Sequence, residues 1–265
     1  MVSNVKIMFM VISLIIALVG PIVLSIIITK KYKASFLPIL VGAGVFIVFQ
    51  VLFRIPLLAK FGKMDWYQKL YENKILISLF LGLTAGIVEE IGRFIGFKLL
   101  RKNKFYDYKN GIAFGIGHGG IEAIILVGLT YINNIVMSVM INAGIFDEMI
   151  GANLAPETAA FVKSQLIDTE TYVFLVGGIE RIFAVIIQIA LTLVVLYGVK
   201  NKKNIWVLVA ILLHAVIDTP IALLSLNGAS IFISEAYTMV CAAVALIFII
   251  KSKKIFSKEN EIKRY

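Results

Sequence analysis

Apolar runs recur along the whole chain, and their length constrains the fold more than any other feature. Crossing roughly 30 Å of hydrocarbon takes about 20 residues of helix, and the absence of water there forces every backbone group to find an internal partner. Six stretches reach that length: about Val5 to Thr29, Phe36 to Leu58, Ile75 to Leu100, Asn110 to Ala143, Tyr172 to Val199 and Ile205 to Leu226. A seventh, about Ala236 to Ile250, is shorter, and its start extends back to Ser230. Composition agrees, with 60% of the 265 residues hydrophobic against about 45–50% in soluble domains. The chain is expected to be an all-α, polytopic transmembrane bundle of about seven spans in the cell membrane. It should form a single integral membrane domain over residues 1–265 with short loops and a functional core at about 75–226. The first stretch is too long for a signal-peptide core and lacks a small-residue cleavage pattern, so it is expected to stay as an anchor.

The net charge of +10 does not imply nucleic acid, because the basic residues sit in short clusters between apolar runs, where they set topology. These are Lys30, Lys31 and Lys33; Arg101, Lys102 and Lys104; Lys200, Lys202 and Lys203; and Lys251, Lys253 and Lys254. Seven spans put all of them on one side. The acidic loop at 146–171, with Asp147, Glu148, Glu157, Asp168 and Glu170 against Lys163, falls on the other. The positive-inside rule then predicts an outer N-terminus and a cytoplasmic C-terminus. The loop from Lys60 to Lys74 runs against this rule, with four lysines on the outer side. The expected partner is therefore the lipid bilayer, with no nucleic acid. The lone Cys241 reads as a small hydrophobe.

Within the spans, ionisable side chains are costly and mark function by default. The third segment carries Gly86-Ile87-Val88-Glu89-Glu90-Ile91-Gly92-Arg93. Glu89 and Arg93 are four apart and share a face, while Glu90 is turned about 100° away. One carboxylate is thus expected beside the guanidinium and one aimed elsewhere. The fourth segment carries His118 and Glu122, and the sixth carries His214 and Asp218, each pair four apart on one helix face. Counted from the basic clusters, Glu89, His118 and His214 lie roughly 14 to 18 Å deep, at one level. Gly82, Gly86 and Gly96 line the same face as Glu89 and Arg93, and Gly111 and Gly115 line that of His118. Small-residue stripes let membrane helices approach closely. Pro220 lacks an N–H and leaves the Val216 carbonyl without its helical donor. Glu180 and Arg181 lie nearer the outer surface and, being adjacent, are expected to pair with other helices.

Glu89-Glu90 with Arg93, Phe114-x-x-x-His118 and His214-x-x-x-Asp218 resemble the three motifs of the CAAX prenyl endopeptidase, bacteriocin-processing and abortive-infection superfamily of glutamic-type intramembrane proteases. The YhfC-like branch is the nearest match. The resemblance implies an intramembrane endopeptidase acting on a peptide or membrane-protein substrate, in which Glu89 and His118 activate water while His214 and Asp218 stabilise the oxyanion. Glu90 and Arg93 complete the catalytic set, and Glu122 supports His118 or bridges helices. Two residues separate Glu90 from Arg93 where the superfamily has three, which leaves open whether Glu89 or Glu90 is the base. An asparagine is common where Asp218 stands, so Asp218 either donates to the oxyanion or orients His214. No cofactor is expected. The alternative within the enzyme class is a Zn2+ site built from His118, His214 and one or two of Glu89, Asp218 and Glu122. Outside that class, the same cluster could relay protons in a proton-coupled transporter or channel.

Overall fold

The computed structural model describes residues 1–100 and 104–262. Arg101 and Lys102 of the second basic cluster therefore lie outside the described residues. Those residues form helices without strands, and seven of the helices are long and apolar enough to cross a membrane. The spans are Asn4–Lys31, Leu37–Phe61, Lys74–Leu99, Tyr108–Ala143, Thr171–Lys200, Ile205–Leu226 and Ile231–Ser257. Each matches a segment expected from hydropathy because bilayer thickness fixes the length of an apolar helix. The seventh begins at Ile231 and so gains the length that its apolar run alone lacked. Between spans two and three, Asp65–Glu72 forms a short helix whose Trp66 packs edge to face with Phe61 and Phe80, and whose Tyr67 packs edge to face with Phe80. Asn73 caps the third span, its side chain accepting from the backbone of Ile75 and Leu76 at 3.1 Å.

The chain divides into two compact units. The first comprises Met1–Gly20 and Ala123–Ile182. Its core gathers Val2, Met10, Tyr131, Leu166 and Phe174. Asn142 clamps the backbone of Val2 from both sides, accepting from its N–H at 2.7 Å and donating to its carbonyl at 2.8 Å. The Ser13 hydroxyl donates to the Phe174 carbonyl at 2.6 Å. Arg181 donates to Glu180. Adjacent residues diverge at Cβ by about 100°, but both side chains are long enough to curl back and meet.

The second unit takes Pro21–Glu122 and the chain from Phe183 onward, and it holds every residue of the third and sixth spans. Glycines set its interhelical distances. A Cβ on Gly42 would lie 2.1 Å from the Phe114 carbonyl oxygen, and one on Gly117 would lie 2.0 Å from that of Ile39. Spans two and four therefore touch backbone to backbone beside His118. On span three, a Cβ at Gly86 would lie 2.7 Å from the Ile211 carbonyl oxygen, which brings span six against the Glu89–Glu90 turn. Span two passes through a π-helical stretch at Phe46–Arg54, a departure from α geometry that recurs at functional sites. Here it buries Phe46 and Gln50 and sends Arg54 to the Leu81 carbonyl of span three at 2.7 Å.

Candidate active site

Inside the second unit, Glu89, Glu90, Arg93, His118, Gln188 and His214 are all at most 6% exposed. They arrive from four spans and divide into two groups joined by one guanidinium. Glu89 pairs with His118, Oε2 to Nε2, at 3.0 Å. Gln188 Nε2 donates to Glu122 Oε2 at 2.6 Å and to Glu89 Oε2 at 3.3 Å. The ring edge of Phe46 closes over His118, with centroids 5.4 Å apart and planes at 84°. In the second group, Glu90 Oε1 pairs with His214 Nδ1 at 2.7 Å. His214 Nε2 faces Asp218 Oδ2 at 3.3 Å, and the Asp218 side chain is 40% exposed.

Arg93 joins the groups. One terminal nitrogen donates to Glu90, and the other donates to Gln188 and lies 3.4 Å from Glu89. The sequence pointed to one carboxylate beside the arginine and one directed away. Instead Arg93 holds both, because i,i+3 and i,i+4 positions are both within reach of so long a side chain. Adjacent glutamates still serve different partners: Glu89 turns to span four and Glu90 to span six.

A hydrogen bond from Tyr237 of span seven to the Val216 carbonyl, at 2.7 Å, accounts for the gap left by Pro220. The carbonyl freed by the proline is thus satisfied from outside its own helix, between His214 and Asp218. In a medium without water, an unpaired carbonyl costs too much to leave.

Gln188 is the participant that sequence reasoning missed. A single glutamine in an apolar helix gives no periodic or spacing signal. The available hint was its polarity at the middle of span five, flanked by Ile187 and Ile189. Arg54 was missed for a similar reason, standing near the end of a run where lysine and arginine ordinarily mark the interface.

Among the described residues, Glu89, His118 and Glu122 offer donor atoms that all lie within 4.8 Å of one another. Two carboxylates and an imidazole suit a zinc ion. The residues around them fit a dication as well. Carboxylates outnumber the one guanidinium in this buried cluster, and His118 Nδ1 is buried without a hydrogen-bond partner. The structure brings together only part of the zinc alternative read from the sequence. His214 and Asp218 stand with Glu90, and Glu122 joins Glu89 and His118.

A seven-span helical chain with buried glutamates and histidines converging inside one unit defines a polytopic membrane protein with a hydrolase-like polar centre. The chain belongs to the YhfC intramembrane metalloprotease family, whose model matches residues 12–240. It is 33% identical over 261 residues to "Uncharacterized membrane protein YhfC" of Bacillus subtilis (strain 168), covering 97% of this chain and 100% of that protein. No solved structure matches it. The family makes this multi-pass chain an intramembrane protease and decides between hydrolysis and transport in favour of hydrolysis. It also corrects the expectation of a cofactor-free enzyme: the family is a metalloprotease family, and three donors stand together where a metal would bind. The physical reason for the miss is that the donors come from two helices, Glu89 of span three meeting His118 and Glu122 of span four, and not from a His-Glu-x-x-His spacing that could be read along one.

Proposed function

We propose that the protein is a zinc-dependent intramembrane endopeptidase, with Glu89, His118 and Glu122 holding the metal. The observation that carries this reading is the convergence of those three donor atoms within 4.8 Å in a chain of a metalloprotease family. A divalent ion at such a set supplies Lewis acidity, which polarises a carbonyl and lowers the pKa of water. The rest of the work falls to side chains. Carboxylates face both ring nitrogens of His214, Glu90 at Nδ1 and Asp218 at Nε2, and only the imidazolium donates from both; in that form its Nε2–H is the edge that donates to the oxygen of a scissile carbonyl. Asp218, half-exposed and opposite Nε2, orients that imidazole while the site is empty and yields the position when a peptide enters. Arg93 balances Glu90 and keeps both glutamates from rotating away. Donors fixed in advance, inside a region that excludes bulk water, are worth more to a developing oxyanion than the same donors in solution.

Glu89 and His118, which the motif resemblance makes direct activators of water, would thus serve that step by holding the ion together with Glu122, while His214 keeps its role at the oxyanion and Asp218 that of orienting it. The test pairs metal content with cleavage. Purified wild type should carry near-stoichiometric zinc and cleave a membrane-tethered reporter. Glu89→Ala, His118→Ala and Glu122→Ala should lose both. His214→Ala should lose cleavage and keep its zinc. Full cleavage by a zinc-free His118→Ala protein would rule the reading out.

A further inference from the structure

We infer that Gln188 is the positioning residue of the metal set, holding the carboxylates of Glu89 and Glu122 through its amide nitrogen while Arg93 dictates which way the amide faces. This rests on the metal reading given above. The argument begins with the asymmetry of an amide, which has an acceptor at one end and two donors at the other. In a buried site either orientation is available until a neighbour excludes one. Arg93 does so, because a guanidinium only donates. Its terminal nitrogen meets Gln188 Oε1, so the NH2 end is driven to the opposite side. There Nε2 lies 2.6 Å from Glu122 Oε2 and 3.3 Å from Glu89 Oε2. Two carboxylates from different spans are thereby tied to one neutral donor on a third.

The backbone supports the same conclusion independently. Gly119 follows His118 directly, and a Cβ there would stand 3.0 Å from Gln188 Cβ and 3.2 Å from Val185 Cα. Any larger residue would push the Gln188 stem out of line, so the chain leaves room for this amide at the point where span five meets the histidine. Hydrogen bonds from outside the ligand set orient ligating side chains, and losing one typically weakens metal binding 10- to 100-fold. Arg93, Gln188 and the two carboxylates form a chain in which the amide links the cation to the metal set's third member, Glu122.

The experiment is a zinc titration of purified, metal-stripped protein by chelator competition. Wild type is compared with Gln188→Met, Gln188→Leu, His118→Ala and, as a packing control on the same helix, Val185→Ala. Gln188→Met keeps the length of the side chain with no donor and only a weak thioether acceptor, and Gln188→Leu serves if the methionine variant does not fold. The expected result is a zinc dissociation constant raised roughly 10- to 100-fold in the Gln188 variants, with Val185→Ala lowering thermal stability and leaving zinc affinity alone. Cobalt substituted for zinc should show a shifted visible spectrum in the Gln188 variants, as the carboxylates reorient. Should wild type bind zinc, His118→Ala abolish it and the Gln188 variants bind as wild type does, the positioning role is overturned and the metal set stands. Wild type without zinc, or zinc that survives His118→Ala, overturns the metal reading and this inference together.

Discussion

Adding one methyl group at Gly42 tests whether the polar centre depends on helix contact distance. A Cβ there would lie 2.1 Å from the Phe114 carbonyl oxygen and 3.1 Å from the His118 backbone nitrogen, whereas ordinary contact begins at 3.4 Å. The obstructing atom is a helix carbonyl that cannot swing aside, so Gly42→Ala must force spans two and four apart by about 1 Å. Overpacking of this kind costs about 1–3 kcal/mol. At about 2–4 °C per kcal/mol for a chain of this size, the thermal midpoint should fall by roughly 2–12 °C. The shift also carries His118 away from Glu89, so zinc affinity should fall along with stability. Gly44, two residues on, supplies the control, because a Cβ there meets nothing within 4 Å. Gly44→Ala should be neutral or stabilising by about 0.5–1 kcal/mol from helix propensity. The assay is thermal unfolding in mild detergent, followed by chelator competition for zinc. A Gly42→Ala protein as stable and as zinc-avid as Gly44→Ala would refute the claim that backbone contact between these spans sets the site.

Other outcomes follow from the same geometry. Arg93→Leu leaves Glu90 and Glu89 buried without their cation and should destabilise the protein by about 3–5 kcal/mol, read as a lowered thermal midpoint. Adding Glu90→Leu should recover part of the loss. Tyr237→Phe removes the donor to the Val216 carbonyl and should cost about 1–3 kcal/mol. In a Pro220→Ala background, where the backbone N–H is restored, the same change should cost little, and a double-mutant cycle on thermal unfolding measures that coupling. Stripping zinc with a chelator should lower the midpoint of wild type, since a ligand at 100 times its dissociation constant contributes about 2.7 kcal/mol. Readdition should restore it, and His118→Ala should respond to neither step.

Much of this protein was legible along the chain. Span positions follow from bilayer thickness and need no tertiary knowledge, which is why segments expected from hydropathy and observed helices agree. The i,i+4 relation that sets His214 beside Asp218 is likewise intrinsic to a helix, as is the divergence of Glu89 from Glu90. What the chain alone left undetermined was every partnership between helices. Which histidine meets which glutamate, that Glu122 joins Glu89 and His118 while Asp218 stays with Glu90, and that Gln188 enters the cluster all depend on how each helix is rotated about its axis and how closely it approaches its neighbours. Those two quantities are fixed by contacts such as Gly42 on Phe114 and Gly86 on Ile211, which form only once the spans are packed. Periodicity names the face a residue occupies. Only packing names the side chain that face will meet.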